Sequence, residues 1–113
     1  MRYENEGALC HDLAERFSGL RTMYDEHIQD FDELIPHIFM ADVTRYVLAH
    51  EPESIAIVQM LENVFAKKSD VTQNLIQASF VENIESVAEL ESILEGVVGN
   101  CLREEWRRQH LNN

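Results

Sequence analysis

The chain has 113 residues, enough for one domain and too few for two ordinary ones. Its 45% hydrophobic and 27% charged content is a globular balance, which excludes a disordered chain. The net charge of -12, from 21 acids against 9 bases, opposes binding to nucleic acid or anionic lipid; it suits a cationic partner or plain solubility.

Apolar residues recur at helical spacing along the chain, and strict alternation is missing. The first helix is predicted over about Glu6 to Phe17, with Leu9, Leu13 and Phe17 on one stripe. Ser18-Gly19 predicts a break, after which Leu20, Met23, Tyr24, His27, Ile28 and Phe31 form a second stripe. In "LIPHIFMADVTRY" the proline decides the next boundary. At a first helical position proline costs nothing, and the residue before it avoids helical geometry. Pro36 is therefore read as the start of a third helix carrying Ile38, Phe39, Val43, Tyr46 and Val47. A kink in one long helix from about Leu20 to His50 is the alternative.

Pro52 marks the next turn, and Glu53-Ser54 open a fourth helix with Ile57, Val58, Leu61, Val64 and Phe65 on its face. Lys67 and Lys68 suit the negative end of that helix dipole. Ser69 or Asp70 is expected to cap a fifth helix that runs from Val71 through Leu75, Ile76 and Phe80 to Ile84. A further break is allowed near Ser86 to Glu89. The last helix presents Leu90, Leu94, Val97, Val98, Cys101, Leu102 and Trp106, with a turn allowed at Gly99-Asn100. The prediction is an all-α single domain over residues 1–113, with five to six amphipathic helices in an irregular bundle or in stacked antiparallel pairs. Phe39, Leu61, Phe65, Phe80 and Leu94 should meet in its core.

Nothing in the spacing carries catalysis. Neither a CxxC pair, an H-E-x-x-H run, a Gly-rich phosphate loop nor a G-x-S-x-G turn occurs. His27, His37 and His50 read as packing or helix-end residues, and no metal or cofactor is expected. Glu33 and His37 are four apart but separated by Pro36. Cys10 and Cys101 lie near opposite ends of the chain and read as two reduced thiols rather than a terminal staple. Asp42 and Arg45 can form an ion pair, and Asn74 and Asn83 can bond loop backbone at helix ends. No apolar run approaches the ~20 residues of a membrane span. "MRYENEGALC" has no apolar core of signal-peptide length, so the expected compartment is the cytoplasm.

Charge is uneven. Thr22 to Thr44 holds six acids and no Lys or Arg, and Ser69 to Leu102 repeats that imbalance. Five acids of the first stretch, Asp25, Glu26, Asp30, Asp32 and Glu33, fall within nine positions. They are the expected partner-binding residues, because a dense cluster raises the local field.

The stretches "LIPHIFMADVTRYVL", "MLENVFAKKSDVTQNLIQASFVENIE" and "LEGVVGNCLREEW" resemble a family of small bacterial helical proteins of uncharacterised function, over about Leu34 to Trp106. That family commonly has Leu-Gly-Pro where this chain has Val98-Gly99-Asn100. It lends no catalytic motif. By size, charge and class, small acidic domains of this kind are similar to immunity proteins that neutralise a paired toxin. The expected function is therefore protein binding, most concretely an immunity protein that covers a basic toxin domain with an acidic helical face. A general interaction or adaptor module, a homodimer included, is the first alternative, and a small enzyme the second.

Overall fold

The computed structural model describes residues 3–111. Seven α-helices occur among them: α1 (Glu6–Arg16), α2 (Ser18–Phe31), α3 (Pro36–Leu48), α4 (Ser54–Ala66), α5 (Asp70–Ile76), α6 (Val87–Leu94) and α7 (Cys101–Leu111). The expected five to six helices are thus one or two short. The extra element arises where the long final helix was predicted. Gly96 (φ 85°) and Gly99 (φ 117°) adopt left-handed backbone, and the chain turns there to leave α6 and α7 separate.

Local chemistry explains most boundaries. The Asn5 side chain accepts the Ala8 N–H (2.8 Å) and starts α1. Phe17 is extended between α1 and α2, so the break falls just before Ser18-Gly19. Gly19 has another use: a Cβ there would collide with the Tyr46 hydroxyl of α3. Pro36 begins α3 behind an extended Ile35, and residues 32–35 separate it from α2 as two helices, not one kinked helix. Ser69 occupies the N-cap position of α5, but its side chain makes no capping bond; its carbonyl takes the Gln73 N–H (3.0 Å). Ser86 caps α6 by accepting the Glu89 N–H (3.1 Å), while the Glu89 carboxylate takes the Glu85 N–H (2.8 Å). That Ser-x-x-Glu pattern is a capping box in all but register.

The predicted fifth helix continues beyond α5 as a π turn, Gln77–Val81. Its wider winding presents the Ser79 carbonyl, which accepts the Thr44 hydroxyl (3.2 Å) and the Asn83 amide (2.9 Å). Asn83 therefore bonds backbone as expected. Asn74 is exposed and makes no such bond among the described residues.

The core lies where α1, α3, α4, α5, the π turn and α6 converge. Phe39, Leu61, Phe65, Phe80 and Leu94 are all buried in it. α7 closes one side: Trp106 buries its indole and donates to the Ile84 carbonyl (2.7 Å). The Asp42–Arg45 ion pair forms on the surface, where it contributes little. No helix among the described residues is long and apolar enough to cross a membrane.

Candidate functional site: the α2–α3 corner

α2 ends at Phe31, and Asp32 closes it in left-handed backbone (φ 60°) with its N–H on the Ile28 carbonyl (2.8 Å). Aspartate tolerates that conformation better than most residues. The chain then crosses Glu33 and Leu34 before Pro36 restarts a helix.

His27 holds this crossing in place. It is buried on α2, and its Nε2 accepts the Ile35 N–H (2.9 Å). Because Nε2 is the acceptor, the proton of the neutral ring sits on Nδ1. Nδ1 has no partner among the described residues. The ring packs on Phe31 (centroids 4.8 Å) and edge-on to Phe39 (6.1 Å).

The five predicted partner-binding residues, Asp25, Glu26, Asp30, Asp32 and Glu33, are all exposed at this end of α2 and in the turn. Asp25 faces the Arg21 Nε of the preceding helical turn at 3.5 Å. The other four have no cationic partner among the described residues. Two large apolar side chains stand open at the same corner: Phe31, 44% exposed, and Ile38, 39% exposed.

On the other side of Pro36, His37 joins three elements. Its Nδ1 lies 2.5 Å from the Ser79 hydroxyl of the π turn, and its Nε2 lies 3.3 Å from the Glu6 carboxylate of α1. The carboxylate that His37 meets is Glu6, not Glu33. With a neutral ring the Ser79 O–H donates to Nδ1 and the Nε2–H donates to Glu6. That is the bonding order of a serine, histidine and acid relay. Ser79 is only 6% exposed beneath the ring, so the hydroxyl faces the protein rather than an open cleft. Sequence spacing could not reveal this chain, since its members stand 31 and 42 positions apart.

His50 sits past the end of α3, with its Nε2 2.6 Å from the Ser92 hydroxyl of α6. No three metal-binding side chains converge among the described residues. Cys10 and Cys101 are free thiols. Burial, with Glu6 adding to it, pushes the Cys10 pKa up to about 12. Burial and Glu62 raise Cys101 as well.

No curated protein and no solved structure matches this chain. A family model does, over residues 10–112, and so reaches back across α2 into α1, where the sequence shows no recognisable motif. The chain belongs to that family, a domain of unknown function (DUF7674).

Proposed function

We propose that this protein binds a basic partner protein through the α2–α3 corner, and that it acts in the cytoplasm as an immunity protein covering the cationic surface of a toxin domain. One observation carries the reading: Phe31 and Ile38 are exposed at a corner whose acids Glu26, Asp30, Asp32 and Glu33 have no cationic partner among the described residues. Interfaces that bind proteins combine an apolar anchor with a charged rim. The rim steers the encounter and selects the partner, and the anchor slows dissociation. His27 contributes rigidity, because it ties the turn to α2 before any partner arrives.

The test first identifies the partner by a pull-down from the native host at low salt, with mass spectrometry of what high salt releases, and then uses that partner in purified form. Reversal of Asp30, Asp32 and Glu33 to Lys together should lower its association rate at least tenfold at low salt and remove most of the salt dependence. Phe31→Ala should raise the dissociation rate instead. An unchanged association rate in a folded triple variant rejects the corner as the binding surface.

The Glu6, His37 and Ser79 chain favours a second reading, a small hydrolase with Ser79 as nucleophile and His37 as base. Covalent labelling of Ser79 by a fluorophosphonate, lost in His37→Ala, is the result that reading requires.

A further inference from the structure

We propose that the outward face of α4 is a two-fold interface, on which a second copy of this chain packs with its own α4 antiparallel. Three surface depressions join end to end along this helix. One of about 700 Å³ opens at its N-terminal end between Glu51, Glu53, Ile55 and Gly96. The next, about 400 Å³, shares Ala56 and Gln59 with the first and runs past Met60 and Asn63 to Lys67. The third, about 720 Å³, continues from Val64 and Lys67 to Val71. The trough follows a 13-residue helix, about 20 Å at the usual rise per residue.

The residues along it have the spacing of a helix seam. Glu53, Ala56, Met60, Asn63 and Lys67 succeed one another in steps of three and four. Met60 stands midway, seven positions after Glu53 and seven before Lys67. A two-fold axis at Met60 therefore opposes Glu53 to Lys67 of the second copy, and Lys67 to its Glu53. The small Ala56 then faces the Asn63–Val64 turn, and the two Met60 side chains meet on the axis, where a flexible thioether packs well.

Charge selects this occupant over others. Glu51 and Glu53 lie at one end of the trough, Arg16 lines its middle, and Lys67 and Lys68 lie at the other end, where Glu4 and Asp70 also line the depression but stand off the α4 seam. Lys67 and Lys68 are the only lysines of the chain, and neither has a carboxylate partner among the described residues. Arg16, Arg21, Arg45, Arg103 and Arg108 all have one, and Arg107, on α7 and away from the trough, is the other described cation of the Lys and Arg set that lacks one. A chain of net charge -12 repels its own copy over most of its surface. On α4 the sign changes along the face, so an antiparallel copy meets opposite charge at both ends and a parallel copy meets like charge. A surface that complements itself under a two-fold axis is what an isologous dimer requires. Antiparallel helix dipoles add to the preference.

The dimer also covers two of the most exposed apolar side chains. Ile55 is 57% exposed in the trough. Val98 is 79% exposed beside it, held there by the Gln59 amide, which both donates to and accepts from its backbone (2.9 and 2.7 Å). None of the trough residues belongs to the α2–α3 corner, so pairing on α4 leaves the acidic corner open.

Sedimentation of the full chain, from micromolar to millimolar concentration, tests the proposal. The mass should rise from 13.1 kDa towards twice that value. Lys67→Glu and Glu53→Lys each place like charges opposite one another twice per dimer, and each should raise the dissociation constant at least tenfold. The double exchange Glu53→Lys with Lys67→Glu restores the complementarity in reverse and should recover the original constant. Circular dichroism checks the fold of each variant. Met60→Glu, which brings two carboxylates together on the axis, gives the same readout if a single exchange proves unfolded. A monomer at every concentration overturns the interface. So does a dimer that the single exchanges leave unchanged, or a folded double exchange that stays as weak as the singles.

Discussion

The carboxylate of Glu62, in the middle of α4, accepts the backbone N–H groups of Cys101 and Leu102 at 3.0 Å each. A buried acid on one helix thus caps the N-terminus of another, 39 and 40 positions away, and its negative charge meets the positive end of the α7 dipole. Glu62 stands in "MLENVF" and its partners in "LEGVVGNCLREEW". Two of the three stretches that carry the family resemblance therefore meet at this bond.

The cap predicts two variants. Glu62→Ala leaves the buried Leu102 N–H and the part-buried Cys101 N–H without this acceptor and should cost about 1–3 kcal/mol. Gly99→Ala should also destabilise, by at least about 1 kcal/mol, because its φ of 117° strains any side chain. A Cβ there would stand 2.7 Å from the Glu62 Oε2 that holds α7. Urea unfolding with an unchanged slope reads both effects. A neutral Glu62→Ala would show that solvent replaces the cap.

Pro36→Ala should be close to neutral. Pro36 opens α3, where its missing N–H removes no helical bond. Stabilisation by ~3 kcal/mol would instead be the signature of a proline relieved from a helix interior.

Phe80→Ala should cost ~3–5 kcal/mol, since its ring is fully buried in the π turn against α3. Leu111→Ala, at a side chain 62% exposed, should stay within ~0.5 kcal/mol. Equal melting temperatures for the two would remove Phe80 from the core.

Acid should weaken the fold partly through Glu105. Burial pushes its carboxyl up, but hydrogen bonds from Arg108, Gln109 and Gln77 outweigh burial and hold it below the ordinary 4.5. The unfolded chain then takes up the proton first as pH falls. The stability contributed by Glu105 is complete above 4.5 and is lost as pH drops through the lower, folded value. Glu105→Gln should therefore lower stability at neutral pH and flatten its decline below pH 4.5. Parallel pH curves for the two proteins would place the acid sensitivity elsewhere.

Periodicity was enough to locate α1 to α4 and the five core residues Phe39, Leu61, Phe65, Phe80 and Leu94. An apolar stripe states which side of a helix leaves water, and that is a local property of the chain. Pro36 was legible for the same reason: proline fixes its own backbone and that of the residue before it. The exposure of Asp25, Glu26, Asp30, Asp32 and Glu33 followed from the cost of burying unpaired charge. The glycines at 96 and 99 were also written in the chain as signals for the division of the last helix, whereas the break at Ser86 to Glu89 was only weakly marked.

Tertiary structure alone decided the polar partnerships between residues distant in the chain. Glu62 reads in the sequence like any helix-surface acid, yet it is buried on the N-terminus of α7. His27 and His37 both fell on helical faces, but only the packing of α2 against the corner brings Ile35 to one ring, and only α1 and the π turn bring Glu6 and Ser79 to the other. The π turn has no sequence mark, and one of the two side chains that bond its Ser79 carbonyl, Thr44, comes from the distant α3. Hydrophobic burial is non-directional, so a one-dimensional pattern can encode it. A hydrogen bond needs two groups within about 3 Å at a defined angle, and folding alone brings those groups together.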